Sequence, residues 1–237
     1  MHVSCFQNIV LLGLFLYHSQ PSPAQETPPS LCATGVHAIL MRGQGPGDHL
    51  NVMVSVQNLV LQMIPGSSCV ALPYNHGTDD HRAAASNGSY MMQDYIRSYA
   101  ASCPDSKIFV HGYSLGGVAM MDGLCGTSSQ WLYDVPALEP YYNKNVVAAV
   151  SYGEETFVPG LAYDVGSCID GTGMYPRIHP EWCDPFAASI RSYCDEGDME
   201  CCLRFPPPTN PAHWLYIFRY NMDVIQFVQK RLNATRS

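Results

Sequence analysis

The stretch Lys107-Ile108-Phe109-Val110-His111-Gly112-Tyr113-Ser114-Leu115-Gly116-Gly117 runs an apolar, β-type segment straight into a Gly-x-Ser-x-Gly turn. Val118-Ala119-Met120-Met121 then continues as a helix would. A serine placed on such a strand-to-helix bend has strained dihedrals and an exposed hydroxyl, and the flanking glycines let neighbouring backbone come close. Ser114 therefore reads as a nucleophile, and the elbow implies that the chain around it alternates strands with helices.

Working outward, residues 36–41 read as a buried strand, 42–48 as a Gly-rich loop and 50–64 as a helix. Residues 69–72 predict a second strand, and 89–101, with Tyr90, Met91, Tyr95, Ile96 and Tyr99, a helix packed on its apolar side. After the elbow, 118–125 predict a helix, 146–152 a fourth strand, 190–193 a short fifth and 214–232 a closing amphipathic helix. With right-handed crossovers this pattern makes an α/β three-layer sandwich: a central, mostly parallel five-stranded sheet with helices on both faces. Ligands of such sheets gather at the carboxyl ends of the strands. The elbow falls there, as do the Gly-rich loop, Glu154-Glu155 and the loop from Cys194 to Cys201.

The bulk properties narrow the setting. Ile9 to Tyr17 is an apolar run without charge, and Ser22-Pro23-Ala24 offers a cleavage site, so residues 1–24 read as a signal peptide and the product as secreted. Residues 25–31 read as a Pro-rich arm, and residues 32–237 are long enough for one sizeable core, hence one domain. The apolar run is too short to span a bilayer, and no stable membrane insertion is expected. Twelve basic against twenty acidic residues give a net charge of −8 with no basic cluster, which excludes nucleic acid as an expected partner. Of the ten cysteines, Cys5 leaves with the signal; the nine that remain imply disulfides with one thiol left over. Neither the cysteines nor the histidines show zinc spacing, so no metal and no cofactor is expected. Asn87 and Asn233 stand in sequons, which permit glycosylation at exposed loops or termini.

A serine hydroxyl needs an imidazole to take its proton and an acid to orient that imidazole. In α/β-hydrolase order both follow the serine, the acid first. His179 and His213 are the histidines after Ser114, and His213, in a loop just before the last helix, is the better placed base. For the acid, Asp198 follows the fifth strand inside Cys194-Asp195-Glu196-Gly197-Asp198-Met199-Glu200-Cys201; a Cys194–Cys201 bond would close that loop and hold its carboxylate. Asp195, Glu196 and Glu154 are rivals that spacing does not rank.

Residues 107–117, Gly160-Leu161-Ala162-Tyr163-Asp164-Val165-Gly166-Ser167-Cys168 and Ser192-Tyr193-Cys194-x3-Asp198-x2-Cys201-Cys202 together resemble the fungal cutinase and acetylxylan esterase family. The likeness runs from about Cys32 to Leu232, and Cys168 with the doubled Cys201-Cys202 is more similar to the acetylxylan esterase branch. It implies Asp198 as the acid, His213 as the base, and an oxyanion hole from the backbone N–H groups of Leu115 and Gln44. It also implies the disulfides Cys32–Cys103, Cys194–Cys201 and Cys168–Cys202. Cys125–Cys183 is a further expected pairing without that support, and Cys69 is expected to be a buried, inert thiol. Four positions depart from the family: Gln44 stands for Ser or Thr, Leu115 for Gln, and Glu154-Glu155 for an Asp-Pro pair. Gln44 then either supplies an amide to the hole or obstructs it.

The resemblance implies a secreted, monomeric serine esterase working through an acyl-enzyme on acetylated xylan, cutin-like polyester or short esters. Any polymer must be held by the catalytic face itself. Trp214, Leu215 and Met199 flank the base and acid, yet aromatic residues opening a helix usually belong to the core. The reading from another class is a binding or effector protein that keeps the scaffold without turnover, since fold alone does not fix function.

Overall fold

The computed structural model describes residues 32–45, 51–128, 133–203 and 212–236. The proposed signal peptide and arm lie outside the described residues.

Six strands, β1 (Val36–Met41), β2 (Ser68–Ala71), β3 (Lys107–Tyr113), β4 (Val146–Tyr152), β5 (Asp164–Val165) and β6 (Ile190–Tyr193), form one sheet in the order β2-β1-β3-β4-β6-β5. Every pairing is parallel, with Ile39 beside Val110, Val110 beside Ala149, and Ala149 beside Ile190. One strand exceeds the five expected. At two residues β5 is too short to show any periodicity, and it exists through its pairing with Ser192 and Tyr193 of β6.

Side chains alternate between two buried faces, the signature of a sheet covered on both sides. Ile39, Met41, Ile108, Val110 and Ala149 face one core with α2 (His81–Ser102) and α3 (Leu115–Cys125). Ala38, Leu40, Phe109, Ala148 and Val150 face the other with α1 (Val54–Met63) and the closing helices. The helix expected from residue 89 begins eight residues earlier, at His81. Asp80 Oδ1 accepts from the Ala83 N–H at 2.9 Å as its N-cap, and Ala83-Ala84-Ala85 propagate the helix without large apolar residues.

The single closing helix expected over 214–232 is three pieces: a 3₁₀ turn Ala212–Trp214, a short α4 (Tyr216–Arg219) and α5 (Asn221–Ala234). Leu215 and Tyr220 stand at the breaks, and the Tyr216 and Tyr220 hydroxyls donate to Asp198 and Asp195 of the loop after β6.

Four disulfides join Cys32 to Cys103, Cys125 to Cys183, Cys168 to Cys202 and Cys194 to Cys201. The last two form a small apolar cluster with Phe157 beside the loop after β6. The sulfurs of Cys168, Cys194 and Cys202 lie within 4.8 Å of one another, but each is tied in a disulfide and none is a thiolate able to ligate. Cys69 is a free thiol in β2, half-buried rather than fully buried as expected, and desolvation pushes its pKa up to about 11. Asn87 is exposed but sits within α2, not in a loop, and Asn233 is exposed in the last turn of α5. No described helix is long and apolar enough to cross a membrane.

Candidate active site

Ser114 links β3 to α3 at φ 52° and ψ −125°, the one positive-φ residue other than glycine among the described residues. Its N–H donates to the Tyr152 carbonyl at 2.8 Å, and its carbonyl accepts from Gly117 and Val118, so both ends of the bend are held. The motif glycine Gly116 allows α3 to press on β1: a Cβ there would come within 2.1 Å of the Met41 carbonyl oxygen.

His213, in the 3₁₀ turn before α4, pairs with Asp198 of the loop after β6. His213 Nδ1 donates to Asp198 at 2.9 Å to Oδ2 and 3.0 Å to Oδ1. The Asp198 carboxylate has no exposed surface, and its remaining valences are met by the Tyr216 hydroxyl (2.7 Å) and the Glu200 N–H (2.9 Å). A carboxylate so held fixes the imidazole tautomer and leaves Nε2 as the nitrogen that can act as base. Gly153, directly after β4, adopts φ 58° beside this pair.

Ser114 and His213 line one cavity of about 800 Å³ with Gly43, Gln44, Tyr113 and Trp214, closed by Val52 and Glu200. Gln44 is exposed, and its side-chain amide donates to the Thr78 carbonyl at 3.2 Å, away from the role of an added donor. Leu115 is the first residue of α3, where an N–H has no partner within the helix, and its side chain is wholly buried.

Burial by itself lowers the His213 pKa, but the hydrogen bond and charge of Asp198, with the charges of Glu200 and Glu155, outweigh it and the net shift is upward. Glu155, 4% exposed, is pushed up to about 7 by desolvation first and then by Glu200 and Glu154, against the pull of His213.

The cutinase family model matches residues 32–232. The chain belongs to the cutinase family. It is 31% identical to acetylxylan esterase 2 of Talaromyces purpureogenus over 75% of this chain and 78% of that one. Cutinase 11 of Verticillium dahliae is 28% identical over 76% of this chain and 63% of its own length, so the chain spans less than two thirds of that relative. Among solved structures, the catalytic core of the Trichoderma reesei acetyl xylan esterase superposes with a TM-score of 0.74 at 26% identity, covering 84% of this chain and 99% of that one. This cutinase-family chain is a carboxylic ester hydrolase, the class of its named relatives.

The other sequence candidates sit elsewhere. His179 Nδ1 donates to Glu181 on the surface at 3.0 Å, and its ring stacks on Trp182. Asp195 accepts from Arg219 (2.6 Å), Tyr220 (2.7 Å) and the Ser167 N–H (3.0 Å), which makes it a brace for the closing helices. Glu154 is buried and accepts from the backbone and hydroxyl of Thr156, and Glu196 is exposed. Trp214 corrects the expectation of a core residue: it is 62% exposed and lines the cavity, with Met199 exposed nearby in sequence to Asp198.

Sequence reasoning missed Tyr216, Gly153 and Glu200. Tyr216 stands three residues after His213, a helical spacing that faces it toward the same loop, but a lone tyrosine carries no such signal until the break in the closing helix is known.

Proposed function

We propose that this esterase is a secreted serine hydrolase in which Ser114, His213 and Asp198 form the catalytic triad. Ser114 Oγ attacks the ester carbonyl as His213 Nε2 takes its proton. Asp198 steadies the resulting imidazolium, and the Leu115 and Gln44 backbone N–H groups receive the oxyanion. The imidazolium then gives its proton to the departing alcohol, leaving an acyl-Ser114. Water, deprotonated by His213, attacks that acyl group, and collapse of the second tetrahedral adduct returns the acid and the free serine. Each donor in an oxyanion hole is worth about 3 kcal/mol of barrier elsewhere.

The observation that carries this reading is that His213, paired with Asp198 at 2.9 Å, lines the same cavity as the positive-φ serine, Ser114. The secreted setting is supported by four disulfides, which persist in oxidising compartments. The substrates we propose are plant cell-wall esters, acetylated xylan or a cutin-type polyester, held on the catalytic face by a monomer; the two relatives named above support each in turn. The triad side chains are proposed to need no metal or cofactor.

A p-nitrophenyl ester series from acetyl to long acyl chains, run beside Ser114→Ala and an acetate-release assay on acetylated xylan, tests this. Turnover by the natural chain that vanishes in Ser114→Ala is expected. Turnover surviving in Ser114→Ala would remove Ser114 as the nucleophile, and no turnover of any ester by the natural chain would replace the reading with that of a binding protein.

A further inference from the structure

The cavity is lined by an acidic side chain that the hydrolytic steps do not use. Glu200 lines it together with Ser114, His213, Tyr113 and Trp214, and among the described residues no Lys or Arg lines it. Its backbone is immobilised on three sides. The Glu200 N–H donates to Asp198 Oδ1 at 2.9 Å, its carbonyl accepts from Met174 at 3.0 Å, and Cys201 beside it is tied to Cys194. Among the described residues no cationic side chain forms an ion pair with the Glu200 carboxylate. Asp198 and Glu155 act on His213 with the same sign as Glu200.

Resting on the esterase reading above, we infer that Glu200 is a specificity-determining residue that selects substrates by charge, admitting neutral and cationic esters and rejecting those that carry an anionic group near the scissile bond. The physical reason is Coulombic. At a separation of about 7 Å and an effective dielectric constant of about 30, repulsion between two carboxylates corresponds to a penalty of about tenfold. The aromatic rings of Tyr113 and Trp214, which line the same cavity, attract a cation that sits over either face. Substrate discrimination by a like charge placed at the site is a common device for specificity.

Three acetates that share the transferred group test this: 4-acetoxybenzamide (neutral), 4-acetoxybenzoate (anionic) and 3-acetoxy-N,N,N-trimethylanilinium (cationic). The readout is the ratio of kcat/KM for the neutral over the anionic ester, in the natural chain and in Glu200→Gln. Intrinsic reactivity of the esters and any general loss of activity cancel between the two ratios. We expect the ratio to fall about tenfold in Glu200→Gln. In the natural chain it should also shrink as salt rises from 0.02 to 0.5 M, a range of ~20 to ~4 Å in screening length, and this arm needs no variant. The cationic ester should lose ground in Glu200→Gln. A ratio unchanged by both the substitution and the salt overturns the inference while leaving the esterase reading intact. Absence of turnover with all three acetates and with p-nitrophenyl acetate removes the esterase reading and this inference with it.

Discussion

Gly153 and Asp198 are in contact in a way that leaves no room for a side chain: a Cβ on Gly153 would lie 2.6 Å from Asp198 Oδ2 and 2.9 Å from His213 Nδ1. The residue also holds φ 58°, which strains any L side chain. Gly153→Ala should therefore push the acid and base apart. We expect kcat on p-nitrophenyl acetate to fall at least about tenfold, with about 1–2 kcal/mol lost from the unfolding free energy. A variant with the natural kcat would show that the pair tolerates displacement.

The upward shift of His213 sets the pH behaviour in two opposite directions. As a base it must be neutral, so kcat/KM should rise with pH along an acid limb lying above the ordinary imidazole value of about 6.5. Its contribution to stability has the reverse sign: a folded-state pKa above the unfolded one gives stabilisation that is complete below about pH 6.5 and is lost as pH rises through the folded value. Glu155→Gln should move the limb downward by removing a negative neighbour. A pH profile of kcat/KM that does not shift in Glu155→Gln would break the link.

Asp198→Asn should keep the fold and lower kcat by about 10⁴, because an amide in its place no longer imposes the tautomer that leaves Nε2 unprotonated. Circular dichroism beside p-nitrophenyl acetate kinetics checks it. Near-natural turnover in this variant, with inactivity in Glu154→Gln, would mean that the acid is Glu154.

Arg177 lies almost wholly inside the protein, with its guanidinium donating to Asp122 at 2.5 Å, to the Gly126 carbonyl at 3.0 Å and to Thr156 at 3.1 Å. Burial raises the pKa of both Asp122 and Glu154, and the charge of Arg177 opposes that shift without overcoming it. Arg177→Met leaves both acids without that cation and should cost about 3–5 kcal/mol by urea unfolding. Adding Asp122→Asn should recover part of the loss. Equal stability of Arg177→Met and the natural chain would contradict it.

Replacing Cys194 and Cys201 together by Ala opens an eight-residue loop around the acid. Chain entropy predicts a loss of about 2.5 kcal/mol. Because the same loop carries Asp198 and Glu200, kcat should fall along with the denaturation midpoint. An unchanged kcat in the folded double variant would show that the hydrogen bonds from Tyr216, the Glu200 N–H and His213 suffice to hold Asp198.

The sheet was legible because β1, β3 and β4 are largely apolar runs, as strands buried on both faces tend to be. Two-residue β5 offered no such run. The early start of α2 was hidden because its first turns are small and polar residues whose helicity rests on the Asp80 cap. In the site, residue types in chain order were enough to nominate Ser114, His213 and Asp198, but not to separate Asp198 from Asp195. That distinction lies in tertiary partners: Arg219 and Tyr220 occupy Asp195, whereas Tyr216 and His213 occupy Asp198. The exposure of Trp214 was missed for a similar reason, since amphipathic periodicity presumes one straight helix and this one is broken at Leu215.

The two cystines packed around Phe157 give the molecule a dependence on redox history. A newly made polypeptide in a reducing environment has its serine and its imidazole but lacks the covalent clasp that keeps the orienting acid in place. Maturation of the catalytic face is thus coupled to electron loss by four sulfurs, and a strong thiol reductant should act on this protein as an inactivator before it acts as a denaturant.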